Sequence, residues 1–249
     1  GRKVLVIGAG NSGTDILNHL AQSNPAKVWV SVRHGPSILP KLVFGYPLHR
    51  LAAFFTRLPK WSLDPSFAAL QWLAFGNLRR FGLRRHPLGG STRMHREGVT
   101  FALDDGFVRA LKSGRFKAVA ETVGFDETRV ELADGRRIEP DVVICATGYK
   151  TGLEPVFGDL GVLDGNGRPH FPMGQADPDH PGLWFAGYTP CLTGFFHAAG
   201  VTAQRIATDI ARTLPVSAPP GSSQRKSRPV IARTDPDATR VAPSVGAET

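Results

Sequence analysis

The sequence predicts an α/β fold around a parallel sheet, and three observations predict it. Val4 to Ile7 is a short apolar run rich in β-branched residues, as in a strand buried on both faces. Gly8, Gly10 and Gly13 follow at once as G-x-G-x-x-G, and from Asn11 the residues Ile16, Leu17, Leu20 and Ala21 recur with helical spacing. Two further runs, Lys27 to Arg33 and Asp141 to Cys145, also read as strands. Strand, glycine turn and helix in that order are the signature of a Rossmann-type dinucleotide-binding unit. A glycine turn without a ligand is the competing reading.

Each glycine of the turn answers a separate need. Gly8 permits the tight bend, Gly10 lets a pyrophosphate approach the backbone, and Gly13 lets the helix lie close to the strand. The helix start then offers free N–H groups and the positive end of its dipole. This helix stops near Asn24-Pro25. The end of the second strand is where a Rossmann unit reads the adenosine ribose. An NAD site needs an Asp or Glu there, about 20 residues past the turn, and no acidic residue occurs between Asp15 and Asp64. Ser31, Arg33 and His34 stand there instead. An arginine in this place suits the 2′-phosphate of NADP, through charge-assisted hydrogen bonds and stacking on adenine. Arg33 as a plain surface cation is the alternative.

Residues 35–47 read as a Gly- and Pro-rich loop. An apolar helical insertion follows over about 48–85, broken at Pro59 and near Pro65. Its aromatic residues fit core or interface packing better than a substrate channel. Residues 86–100 read as loop. Asp104 or Asp105 caps a short helix over 106–113, and residues 116–120 form a strand. Residues 129–132 and 137–138 form a hairpin through Asp134-Gly135. The buried strand Asp141 to Cys145, with Cys145 in the core, runs into Ala146-Thr147-Gly148-Tyr149. A last strand, Leu183 to Ala186, ends at Gly187-Tyr188, and a helix covers 194–212 with His197 in packing contact. Residues 214–249 hold few large apolar side chains and read as a disordered tail.

Composition narrows the function. Apolar residues make up 41% of 249, enough for a packed core, and the formal net charge is +9. No apolar run approaches the ~20 residues of a membrane span, and no signal peptide is visible before the first strand. Two cysteines and no glycosylation sequon fit a reducing, cytoplasmic compartment. No zinc-ligand spacing points to a metal, and no basic helical stripe points to nucleic acid as partner. The chain does not begin with Met and enters a core strand at once, so it reads as a piece of a longer protein. Oligomeric state is not legible.

Three landmarks together, Gly8-Ala9-Gly10-Asn11-Ser12-Gly13, Ala146-Thr147-Gly148-Tyr149 and the stretch from Gly182 to Asp209, resemble the C-terminal half of flavin-containing monooxygenases. The resemblance covers about residues 1–213, and Phe75-Gly76-Asn77 to Phe81-Gly82-Leu83 looks like the family's middle region. It implies a Rossmann-like NADP domain over 1–150, part of an FAD domain over 151–213, and the cofactors NADP(H) and FAD. The family's own FAD turn and active-site asparagine precede its NADP turn. They are absent here, so a missing N-terminal FAD-binding half is the implied partner.

The activity implied is oxygenation of a small soft-nucleophile or carbonyl substrate through a C4a-hydroperoxyflavin. The cofactors carry that chemistry, no acid–base pair is needed, and no catalytic residue is assigned. By the same resemblance, Gly8, Gly10 and Gly13 hold the NADP pyrophosphate, joined by the N–H groups of Asn11 and Ser12. Ser31 and Arg33 take the 2′-phosphate with His34 beside them. Thr147, Gly148 and Tyr149 form a hinge near the nicotinamide, and Gly187 brings backbone to FAD. Thr147-Gly148-Tyr149 as a plain strand-ending turn is the competing reading. For the chain as a whole the alternatives are a non-catalytic NADP-binding module or remnant, and another two-nucleotide flavoprotein. A Baeyer–Villiger monooxygenase has the same plan, whereas a disulfide reductase lacks its C-x-x-C here.

Overall fold

The apolar run at the start of the chain is buried because a strand pairs with it on either side. The structure, a computed structural model, describes residues 1–48, 50, 55, 57–188, 191 and 194–213. From the N-terminus run β1 (Lys3–Ile7), α1 (Asn11–Gln22), β2 (Lys27–Ser31), β3 (Ile38–Pro40), β4 (Leu42–Val43) and β5 (Tyr46–Pro47). Then come α2 (Lys60–Phe75), a 3-10 turn (Leu78–Phe81), α3 (Gly90–Glu97), β6 (Ala102–Asp104), α4 (Phe107–Lys112) and β7 (Phe116–Val119). The rest comprises β8 (Thr122–Phe125), β9 (Val130–Leu132), β10 (Arg137–Ile138), β11 (Val142–Cys145), α5 (Glu154–Phe157), a second 3-10 turn (Gly158–Leu160) and α6 (Phe195–Thr213).

The central sheet has the order β11-β1-β2-β7, and every pair is parallel. Alternation sends Val4 and Val6 to one face and Leu5 to the other. The first face buries Val28, Val30, Leu17 of α1, and Phe107, Val108 and Leu111 of α4. The second buries Leu5, Trp29 and Val119 against Val130 and Leu132 of the antiparallel sheet β10-β9-β8. A side cluster of Leu39, Leu48, Leu63 and Phe67 anchors α2. Asn18 ties α1 to α4: its Oδ1 accepts the N–H groups of Asp105 (2.9 Å) and Phe107 (3.1 Å). The N-cap of α4 is Gly106, and Asp104, two residues earlier, accepts the Val108 N–H on its Oδ1 at 2.7 Å.

The structure corrects several readings. The strand over 141–145 is not buried, because β11 is an edge of the sheet; Val142 and Val143 are exposed, and Cys145 is exposed and not core. Residues 86–100 are not all loop. α3 forms there because the Asp64 carboxylate, carried on α2, accepts the N–H groups of Ser91 (2.7 Å) and Thr92 (3.2 Å) at its start. Pro65 does not break α2; it sits in the second turn, where a proline costs one backbone hydrogen bond without ending the helix. Residues 35–47 include β3 and the β4–β5 hairpin. Leu183 to Ala186 forms only an isolated bridge, Trp184 to Ala176, because no further strand among the described residues pairs with it. His197 is exposed on α6 and not packed.

Gly1–Ala211 form one compact unit. The expected tail, 214–249, lies outside the described residues, as does Phe54 of the insertion. Among the described residues, no helix is long and apolar enough to cross a membrane.

Candidate functional site

The glycine turn joins β1 to α1 at the C-terminal edge of the sheet, where open α/β sheets bind ligands. Gly8 has φ 94°, a conformation that favours glycine. Its N–H donates to the Ser31 carbonyl at 2.9 Å, fixing the turn to the end of β2. A Cβ on Gly8 would stand 2.4 Å from the Ala146 carbonyl oxygen, so the turn and Ala146-Thr147 lie against each other. A Cβ on Gly13 would stand 2.2 Å from the Gly8 carbonyl oxygen. Gly10 is different. Its φ of −66° is open to any residue, and a Cβ there would meet nothing within 4 Å. The protein's own packing demands glycine at 8 and 13 but not at 10. A glycine at 10 suits close approach by something outside the chain.

Gly10 is the N-cap of α1, with no side-chain cap and no acidic residue in the first turn. The first intrahelical bond runs from the Thr14 N–H to the Gly10 carbonyl at 2.8 Å. Asn11 and Ser12 are exposed, and the N–H groups of a first helical turn have no intrahelical acceptor. Such a start favours an anion by both hydrogen bonding and dipole. The Thr14 hydroxyl donates to the Ala9 carbonyl at 3.1 Å and stiffens the turn from below.

At the end of β2 the expected residues separate. Ser31 is 2% exposed; its hydroxyl donates to the Ala120 carbonyl (2.9 Å) and accepts from the Thr122 hydroxyl (2.9 Å). It is a buried brace between β2 and the β7–β8 turn. Arg33 is exposed, with its guanidinium 3.9 Å from the Glu121 carboxylate. His34 is exposed, and its ring meets that of His86 edge-on at 5.0 Å. Behind them His86 accepts the Leu88 N–H on Nδ1 (3.1 Å), and its Nε2 lies 3.8 Å from Glu97. Burial, then the charge of Arg93, pushes the His86 imidazole below its ordinary pKa. The hydrogen bond from Arg93 (2.9 Å) holds Glu97 below the usual carboxylate range.

A cavity of about 220 Å³ opens beside this cluster, between Gly35–Ser37, α2 and the loop 83–90. It includes none of the glycine turn. Its polar lining is largely committed, with Gln71 accepting the Ile38 N–H and Asp64 holding α3.

Past β11, Thr147, Gly148 and Tyr149 are exposed. Gly148 has φ 98°, and Tyr149 is 94% exposed. Gly187 turns at φ 84° beyond the Trp184 bridge and is exposed. Sequence reading missed Glu121, Asn18, Asp64 and His86. Only Asp64 had a signal, as the first acid after a long stretch with none. Among the described residues, no group of His, Cys, Asp and Glu is placed to hold a metal ion.

Comparisons with known proteins identify the family and the fold. The family model described as FMO-like, flavin-binding monooxygenase-like, matches residues 1–159. A probable indole-3-pyruvate monooxygenase, YUCCA3 of Arabidopsis thaliana, is 35% identical over 216 residues, covering 85% of this chain and 48% of its own length. Indole-3-pyruvate monooxygenase YUCCA4 of Oryza sativa subsp. japonica is 36% identical over 154 residues, 61% of this chain and 35% of its own. The chain thus spans 48% of the length of the first of these relatives. Among solved structures, a cyclohexanone monooxygenase mutant from Rhodococcus sp. Phi1 bound to NADP+ shares the fold, with TM-score 0.53 at 15% identity over 85% of this chain and 53% of that one. An oxidized steroid monooxygenase bound to NADP gives 0.51 at 16% identity, over 85% and 54%. The chain belongs to the flavin-binding monooxygenase-like family.

Proposed function

We propose that this chain is the NADPH-binding part of an FAD- and NADPH-dependent monooxygenase that oxygenates a small soft-nucleophile or carbonyl substrate. The observation that carries the reading is Gly10: a glycine that the protein's own packing does not need, at an uncapped helix start. Bound there, NADPH would supply reducing equivalents, and FAD held by the rest of the protein would supply the dioxygen chemistry.

The chain's own residues have defined tasks in this reading. Gly8 and Gly13 shape the turn, and the N–H groups of Asn11, Ser12 and Gly13 hold the pyrophosphate. Arg33 takes the 2′-phosphate, turning from Glu121 to do so, and His34 borders it. Ser31 acts as a brace that positions Arg33, with no contact of its own to the nucleotide. Thr147, Gly148 and Tyr149 sit at the nicotinamide end, because Ala146 lies against Gly8. Residues 1–150 form the NADP domain. Residues 151–213, with Gly187, belong to the FAD domain, whose remainder covers Tyr149.

Calorimetric titration of the chain with NADPH and with NADH tests this. Tighter binding of NADPH, with the difference erased in Arg33→Ala, supports the reading. A folded chain that binds neither nucleotide overturns it.

A further inference from the structure

α2 carries an apolar stripe on its exposed side. Between Lys60 and Phe75 its only charged residues are Lys60 and Asp64, and the Asp64 carboxylate is engaged at the start of α3. One side of the helix buries Leu63, Phe67 and Phe75. The other exposes Trp61 (81%), Trp72 (64%) and Leu73 (74%), with Pro65 and Ala69 exposed between them. Trp61, Pro65, Ala69 and Trp72 fall at i, i+4, i+8 and i+11, which is one face of a helix. At 1.5 Å per residue the stripe is about 18 Å long. The β4–β5 hairpin rests through Val43 on the cluster that holds Leu63 and Phe67, and exposes Leu42, Phe44 and Tyr46.

Cations stand at both ends of the stripe. Lys60 is exposed next to Trp61. Arg79, Arg84 and Arg85 are exposed and line the same cavity mouth as Trp72. Large apolar side chains exposed together mark a contact surface for protein or lipid. Indole rings flanked by Lys and Arg prefer the boundary between headgroups and acyl chains. The local charge is positive, which favours anionic lipid. The 16 residues of α2 are too few to span a bilayer, so the helix would lie along the surface.

We propose that this face docks on an anionic lipid bilayer, with Trp61, Trp72 and Leu73 in the headgroup boundary and Arg79, Arg84 and Arg85 against lipid phosphates. The proposal goes beyond nucleotide binding and does not depend on it.

Tryptophan emission tests it directly. Trp29 is buried in the sheet, and the Trp184 indole donates to Asp209 at 3.1 Å, so Trp61 and Trp72 are the two exposed reporters. The full chain is mixed with phosphatidylglycerol-containing vesicles, and in parallel with pure phosphatidylcholine vesicles. The expected result is a blue shift, quenching by brominated acyl chains, and tighter binding to the anionic vesicles that weakens with salt. Trp61→Ser with Trp72→Ser and Leu73→Ser should lower partitioning about tenfold or more. Glu in place of Arg79, Arg84 or Arg85 should lower it about fivefold or more for each arginine, with the stripe intact. Phe195→Ser with Phe196→Ser, at exposed aromatics elsewhere, should leave it unchanged. Absent blue shift and quenching overturn the proposal, as does binding that survives the stripe variant or is lost only with Phe195 and Phe196. A chain that ignores vesicles but self-associates through the stripe makes this face an interface between copies, and also overturns it.

Discussion

Gly13 rests on Gly8 so closely that a methyl group at 13 would stand 2.2 Å from the Gly8 carbonyl oxygen. The two positions are coupled through backbone, which cannot move aside as a side chain would. Gly13→Ala should therefore cost about 1–3 kcal/mol of stability. Gly10→Ala meets no atom and should cost less than about 1 kcal/mol, yet weaken NADPH at least about tenfold by crowding the pyrophosphate. Urea denaturation and titration of both variants separate the two effects. Equal loss of stability in both would contradict the geometry.

Arg33 and Ser31 stand two residues apart and should behave differently. Arg33→Ala should remove about 1.5–3 kcal/mol of NADPH affinity, the worth of a hydrogen bond to a charged group, and leave NADH unchanged. Ser31→Ala should lower stability by about 1 kcal/mol, because Ala120 and Thr122 lose a buried partner. It should leave the preference for NADPH over NADH intact. A Ser31→Ala variant that is stable but indifferent to the 2′-phosphate would place that hydroxyl on the ligand.

Asp64 is a cap delivered from another helix. Asp64→Ala should cost about 1–2 kcal/mol, and amide exchange at Ser91 and Thr92 should speed up while that of α1 does not change. Unaltered protection of those two amides would show that α3 holds its own start.

Stability should also fall on the acid side of neutrality through His86. Its folded pKa is depressed by burial and by Arg93. As pH falls through the ordinary 6.5, the unfolded chain therefore takes up a proton that the folded one resists. The contribution is full above 6.5 and is lost as pH falls toward the folded pKa. Urea midpoints at about pH 7.5 and about pH 5.5 should differ, and His86→Gln should shrink the difference. A pH dependence that His86→Gln leaves untouched would assign it to other groups.

Local pattern carried far in this chain where local forces decide. β1, the turn, α1 and β2 were legible because period-2 and period-3.6 signals agree with the glycines between them. Cys145 was misplaced because an apolar run announces burial without saying which strand will be an edge; that depends on the order β11-β1-β2-β7. α3 was missed because its cap lies 27 residues upstream, where no local rule looks. Glu121 was missed with β8, and so was the ion pair it offers Arg33. Ser31 was found at the right place on the strand, but its side-chain direction is set by Ala120 and Thr122, 89 and 91 residues away. Leu183 to Ala186 has a strand's composition without a partner to make it one.

β1 lies between β2, which follows it closely, and β11, which comes far later. The Lys3 N–H reaches the Asp141 carboxylate at 2.7 Å across 138 residues of chain. On the ribosome one flank of the first strand is paired early and the other waits, on the order of ten seconds at ordinary elongation rates. Closing so long a loop carries a large entropic cost before any contact repays it. Among the described residues, β11 is thus the last strand of this sheet to arrive. Lesions in Val142 to Cys145 should reduce the yield of folded chain during synthesis more than the endurance of chains already folded.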